Sequence, residues 1–160
     1  MLHAHLFLLP YGRIKLPYMR KVSNILQRKG KSVISVEPDL PVINALQLMA
    51  DKNIGSVMVM ESNEYLGILT ERDYARKVVL KGKSSADIVV KDIMTTGLPR
   101  ITPDNSIETC MHIMSESNIR YLPVFDNDQV CGIISITDVV TETILSQKET
   151  IEQLKSYIQS

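Results

Sequence analysis

An excess of charge of either sign is missing from this chain. Lys+Arg and Asp+Glu each total 18, so the formal net charge is zero. A dedicated nucleic-acid binder usually carries a basic surplus, and no nucleic-acid partner is expected. Disulfide and zinc-type spacings are missing too. The two cysteines, Cys110 and Cys131, lie in apolar stretches, and no Cys-x-x-Cys occurs. They read as small buried side chains in a reducing compartment, which points to the cytoplasm. Histidine is scarce: His3 and His5 have no third ligand nearby, and His112 falls between core positions of a helix, where it reads as exposed. No Ser-His-Asp set, carboxylate pair, metal cluster or Walker-type phosphate loop is visible, so no catalytic role is expected. Long apolar runs are absent as well. Leu6 to Leu9 is too short to span a bilayer, and it lacks the basic flank and small-residue cleavage site of a signal peptide. No membrane partner follows. Residues 1–18 read as a poorly ordered extension or an upstream start, with Met19 opening a globular stretch.

What is present is a core. Hydrophobic residues make up 44% and charged residues 22% of the 160 positions, which suits a folded chain of one ordinary domain or two small ones. The chain also repeats itself. With Pro38-Asp39 laid on Pro103-Asp104, segments 38–75 and 103–140 align without a gap at an offset of 65. Asn53-Ile54 falls on Asn118-Ile119, Met49 on Met114, Val59 on Val124, Gly67-Ile68 on Gly132-Ile133, and Asp73 on Asp138.

Each copy has the same plan. A β-branched run (Val33 to Val36, or Ile101-Thr102) precedes the proline. A helix follows, with Pro41 at its first position in copy one and Asn105 with Glu108 as a capping box in copy two. Val42, Ala45, Leu46 and Met49 form one helical face, repeated by Ile107, Cys110, Met111 and Met114. Two strands then flank Glu61-Ser62-Asn63 or Asp126-Asn127-Asp128, and a second helix starts after Thr70 or Ser135. The fold class is α/β (α+β), with two β-α-β-β-α units. Such a unit of roughly 60 residues cannot close a good core alone, so the two are expected to pack sheet to sheet. The expected divisions are 19–80 for the first unit, 81–91 for a linker, 92–145 for the second unit and 146–160 for a C-terminal helix.

The strongest chemical signal is Gly67-Ile68-Leu69-Thr70-Glu71-Arg72-Asp73 with its counterpart Gly132-Ile133-Ile134-Ser135-Ile136-Thr137-Asp138. Thr or Ser followed three residues later by Asp is an acidic capping box at a strand-to-helix junction. The same geometry suits a nucleotide. A helix N-terminus favours phosphate, the hydroxyl adds a donor, and an ionised Asp can accept from both hydroxyls of a ribose. Both readings stand at this point. Likewise Arg72, Arg76 and Lys77 read either as a solvated basic face or, for Arg72, as a phosphate contact.

Together with Val90-x-Asp92-Ile93-Met94-Thr95 and Ile119-Arg120-Tyr121-Leu122-Pro123-Val124, these motifs resemble a tandem pair of CBS (cystathionine-beta-synthase-type) domains over residues 20–145. The stretch Thr70 to Lys77 resembles the free-standing CBS pairs of bacteria and organelles. The resemblance implies two units about a pseudo-two-fold axis with two clefts for adenosyl ligands: AMP, ADP, ATP, an NAD-type dinucleotide or S-adenosylmethionine. It implies that one cleft joins Thr70 and Asp73 to Ile101, Thr102, Arg120 and Tyr121. The other joins Ser135 and Asp138 to Ser35, Val36, Gly55 and Ser56. Gly55 stands where the other copy has Arg120, and Met58 where it has Pro123. The Asp73 cleft is therefore expected to prefer phosphorylated ligands, and the Asp138 cleft to be weaker, empty or tuned to less charge.

The implied role is a non-catalytic regulatory module that senses an adenine nucleotide and signals to an unknown target protein. The alternative is a ligand-free dimeric scaffold in which the boxes are only caps. Ile144, Ile151, Leu154 and Ile158 keep a roughly heptad seam in the C-terminal stretch. It either folds back on its own unit or packs on a second chain, and a homodimer is the favoured reading.

Overall fold

A computed structural model describes residues 19–30 and 32–159; the N-terminal apolar run, His3 and His5 lie outside them. The helices are α1 (Val22–Lys29), α2 (Val42–Lys52), α3 (Glu71–Lys77), α4 (Ile107–Ser117) and α5 (Ile136–Gln159). The strands are β1 (Ser35–Val36), β2 (Ser56–Glu61), β3 (Glu64–Thr70), β4 (Tyr121–Asp126) and β5 (Gln129–Ser135).

The repeat survives down to single backbone angles. Asn53 and Asn118 close α2 and α4 in the left-handed region (φ 52° and 51°), where asparagine tolerates a helix C-cap. Both hairpins turn on two residues with positive φ, Ser62-Asn63 and Asn127-Asp128, as a two-residue connection with the right twist requires. Each hairpin has a bulge at the matching place, Val59/Met60 and Val124/Phe125.

Two local expectations change. Asn105 does not cap α4. Its Oδ1 accepts from the Thr102 N–H at 2.7 Å, and Ser106 takes the cap by accepting from the Thr109 N–H at 3.1 Å. Asparagine bonds its own turn more readily than it waits for a helix. Pro41 is likewise the N-cap of α2, with ψ 137°, one place before the first helical residue.

The copies also differ in sheet size. Copy one orders β1-β2-β3, with β1 parallel to β2. Copy two pairs β4 with β5, and its first strand shrinks to the bridge between Ile101 and Val124. The cause is Pro123. In copy one the Met58 N–H donates to Ile34 O at 3.1 Å. Proline at the matching position has no N–H, so that rung is missing.

Each copy's core is completed by the segment that precedes the other copy. Helix α1, which sequence places with residues 19–80, packs instead in the second core: Val22 and Ile25 are fully buried with Ile107, Cys110 and Val139. Backbone bonds from Val22 N to Asn105 O and from Ile107 N to Arg20 O seal the contact. The segment between the copies does the same for the first core. Val90 and Ile93 are buried there, and Val42 N bonds Ile88 O while Val90 N bonds Leu40 O. Burying two apolar helix residues of this size stabilises by roughly 3–5 kcal/mol before the entropy cost of ordering α1.

Two further contacts tie the halves. Tyr65 on β3 meets Phe125 on β4 edge to face at 5.2 Å, and Arg100 sits 4.2 Å over the Phe125 ring. Glu142 on α5 is 1% exposed and is held by Arg20 at 2.7 Å and Arg28 at 3.0 Å, which pins α1 and its lead-in onto α5. No helix among the described residues is long and apolar enough to cross a membrane.

Candidate functional site

The two Thr/Ser-x-x-Asp boxes fold alike. Asp73 Oδ2 accepts from the Thr70 N–H at 3.0 Å and from the Thr70 hydroxyl at 2.9 Å, and Thr70 Oγ1 accepts from the Asp73 N–H at 3.0 Å. Asp138 Oδ2 accepts from the Ser135 N–H at 2.8 Å, and Ser135 Oγ accepts from the Asp138 N–H at 3.1 Å. Each uses one carboxylate oxygen to start its helix.

The second oxygens have different fates. Asp73 Oδ1 accepts from the Thr95 hydroxyl at 2.7 Å and pairs with Lys77 Nζ at 2.9 Å, leaving the residue 7% exposed. Thr95 is brought there by a backbone bridge to Ile68, with N–H to O distances of 3.0 and 2.8 Å. Gly67 permits the approach, since a Cβ there would lie 2.6 Å from Thr95 O. On the other side Asp138 Oδ1 has no hydrogen-bond partner among the described residues. Its Oδ2 also meets Lys29 Nζ at 2.8 Å, and that lysine donates to Ile133 O at 3.1 Å.

Asp138 borders a cavity of about 480 Å³ between the halves. Its polar end holds Ser135, Thr137, Asp138 and Lys29, at the N-terminus of the 24-residue α5. Its apolar wall includes Val33, Ile54 and Met58 from the first half and Leu26 from α1. Gly55 and Ser56 line it where α2 passes into β2, and Tyr121, beside Gly55, lines it from the second half. A Cβ at Gly55 would collide with the Tyr121 hydroxyl, so the glycine makes room for that ring. Burial pushes the Tyr121 phenol up, and the nearby Glu71 carboxylate adds to it. The volume falls within the usual range for small-molecule pockets, and apolar walls with a few convergent polar groups are their usual lining.

The residues singled out in sequence separate as follows. Gly55, Ser56, Ser135 and Asp138 meet in the cavity, joined by Tyr121, which the resemblance grouped with Asp73. Ser35 and Val36 are not among its lining: Ser35 is exposed and Val36 is in the first core, while Ser32, Val33 and Ile34 line the space. Apart from Tyr121, the members of the other group do not line this cavity. Ile101 is buried in the second core. Thr102 is exposed and bonded to Asn105, and Arg120 is exposed. Arg72 donates to Asn118 O at 2.8 Å, satisfying a helix-end carbonyl of the other half. Thr70 and Asp73 are closed by Thr95. The cavity described above thus lies at Asp138, whereas the expectation favoured the Asp73 cleft for phosphorylated ligands. Lys29 went unnoticed in sequence, and Thr95 was named only as the end of the Val90 to Thr95 motif, with no role at the site. The counterpart of Val90 to Thr95 is Val22 to Gln27, at an offset of 68, so the hydroxyl of one copy is replaced by a glutamine in the other.

Comparison with known proteins agrees with this architecture. The CBS domain family model matches residues 22–80 and 90–144. A mitochondrial CBS domain-containing protein of Arabidopsis thaliana is 34% identical, over 86% of this chain and 71% of its own length. A CBS-domain crystal structure is 42% identical with a TM-score of 0.75, covering 79% of this chain and 99% of that one. A CBS-domain protein from Burkholderia ambifaria is 40% identical with a TM-score of 0.76, covering 80% and 96%. At 24% identity and a TM-score of 0.67, covering 76% of this chain and 98% of its own, a CBS-domain pair solved with 5′-methylthioadenosine and S-adenosyl-L-methionine shares the fold. Two family matches, a gapless internal repeat and one core per half lead to a single assignment: this chain belongs to the CBS-domain family, as a pair of CBS domains.

Proposed function

We propose that this CBS pair is a regulatory module that takes one adenosyl ligand, of the AMP, ADP, ATP, NAD or S-adenosylmethionine class, in the Asp138 cavity. The observation that carries the reading is the contrast between the two carboxylates. Asp73 has both oxygens occupied by its own chain, and Asp138, which lines the cavity, has no hydrogen-bond partner for Oδ1 among the described residues. In this reading Asp138 Oδ1 accepts from a ribose hydroxyl, and the wall of Val33, Ile54 and Met58 holds the flat base. Ser135, Thr137 and the first N–H groups of α5 face whatever follows the ribose. Lys29 adds a cation at the same end. In the first half, the box is read as a cap alone.

Signalling follows from who builds the cavity. Its lining comes from α1 and the chain after it, the first domain and the second domain. A ligand that fits one packing of these parts better than another shifts their equilibrium by that difference in affinity, and a partner protein can read the shift. We take the working unit to be a homodimer in a reducing compartment such as the cytoplasm. Both thiols fit that setting, since burial pushes Cys110 up to about 11 and raises Cys131 too, keeping them unreactive.

Calorimetric titration of the full chain with AMP, ADP, ATP, NAD and S-adenosylmethionine tests the proposal. At least one is expected to bind at micromolar to millimolar Kd with one site per chain. Asp138→Asn should weaken it at least about tenfold, and Asp73→Asn should change it less than about threefold. No binding by any of the five at millimolar concentration, or equal losses in the two variants, would sink the reading.

A further inference from the structure

We infer that α5 pairs with α5 of a second copy as a short parallel coiled coil, running past the end of the CBS domain. This gives the homodimer proposed above a specific surface.

Helix α5 has two opposite faces. The body holds it by one of them. Val139 is fully buried, Glu142 is clasped by Arg20 and Arg28, and Glu149, seven residues on, is paired with Arg20 as well. The opposite face carries Val140, Ile144, Gln147, Ile151, Leu154 and Ile158, stepping by four and three in turn. Its five apolar members are 47–79% exposed. With Ile144, Ile151 and Ile158 at the a positions of a heptad, Glu142 and Glu149 fall at f, on the far side of the helix. The fold therefore grips α5 by the stripe most distant from the seam and cannot cover the seam itself.

The helix runs to Gln159, about 36 Å in all, while the family match ends at residue 144. Residues 151–159 are exposed on every face. Such a projecting segment is marginal in water without a partner. The seam says which partner. Ile at every a position with Val and Leu at d favours two parallel strands, and the lone polar Gln147 at d penalises shifted registers. Charge selects the same orientation. Lys148 and Lys155 occupy the e positions, and Thr143 and Thr150 occupy g. A parallel pair sets each e lysine against a g threonine of the partner. An antiparallel pair sets Lys148 against Lys155 of the partner subunit, two like charges.

Sedimentation equilibrium of the full chain and of the double variant Ile151→Asp/Leu154→Asp tests the inference. Both side chains are half exposed, so the variant should keep a cooperative melt of the CBS body and lose at most the helicity of the projecting end of α5. Wild type is expected to be a dimer, and the variant's dimer Kd should rise at least about tenfold. A folded variant that dimerises as tightly as wild type overturns the coiled coil and leaves the homodimer standing. A wild-type monomer at about 100 µM overturns both, whatever covers the seam. Orientation is read from Leu154→Cys, which in a parallel pair faces its own copy and should crosslink on mild oxidation, against a wild-type control. A non-crosslinking dimer, or a trimer, overturns the parallel pair.

Discussion

The Thr95 hydroxyl donates to Asp73 Oδ1 at 2.7 Å, and the residue matching Thr95 in the other half is Gln27, since Val22 N bonds Asn105 O as Val90 N bonds Leu40 O. Thr95 and Lys77 both engage Asp73 Oδ1, whereas the lysine at Asp138, Lys29, meets Oδ2. Thr95→Ala should cost ~1 kcal/mol, the usual net worth of such a bond, in urea unfolding. It should not create a second ligand site, because the Thr95 backbone still lies against Gly67. Calorimetry should return the same stoichiometry as wild type; a doubled value would mean that the side chain alone shuts the first cleft.

Asp73 is expected to behave as a structural residue. Asp73→Ala removes the reciprocal cap of α3 and strands the donors of Thr95 and Lys77. Lys77 is partly exposed and can turn to water, so the loss should be about 1–2 kcal/mol. Thermal unfolding of the apo protein reads it directly. An unchanged melting temperature would contradict the closed geometry.

Glu142 should matter more. It is 1% exposed between two arginines, and removing it takes the counter-ion from Arg28 and leaves Arg20 with Glu149 alone. Glu142→Ala should cost ~2–3 kcal/mol, the worth of its charged hydrogen bonds. The damage should appear first as faster hydrogen exchange in α1, which the cluster ties to α5. Uniform exchange, with no early opening of α1, would argue against this fastening.

Tyr65 carries the pH prediction. Its hydroxyl is buried and has no partner among the described residues. Burial pushes its ionisation from 10.0 up to about 12, with Arg100 pulling weakly downward. The folded chain therefore keeps the proton after the unfolded chain has lost it. The stability gained this way is complete below pH 10 and falls as pH rises toward 12. Tyr65→Phe should be neutral or up to ~1 kcal/mol more stable at neutral pH. Its advantage over wild type should widen between about pH 10 and pH 12 in denaturant titrations. A gap that narrows instead would show that the phenol is not shielded.

Much of this was legible in the residues themselves. The 65-residue offset placed both hairpins, both asparagine helix ends and both Thr/Ser-x-x-Asp boxes, because each is a local pattern of turn, cap or periodicity. The sheet strands were legible to within a residue or two. The Asn105 cap was misread because Asn105 and Ser106 are adjacent and both able, and only the bond to Thr102 separates them. At the candidate site, Ser56, Ser135 and Asp138 were grouped in sequence as the structure groups them, and Tyr121 was assigned to the wrong side.

The sequence alone determined that there are two similar units, where each begins its helices and turns, and that each presents one carboxylate at a strand-to-helix junction. These are consequences of neighbours a few residues apart. Tertiary structure decided which carboxylate stays open, which core receives α1, and which face of α5 is left bare. Those outcomes depend on contacts between residues such as Lys29 and Asp138, or Arg20 and Glu142, more than a hundred positions apart. Side-chain type permits such pairs, and only the packed chain selects among them.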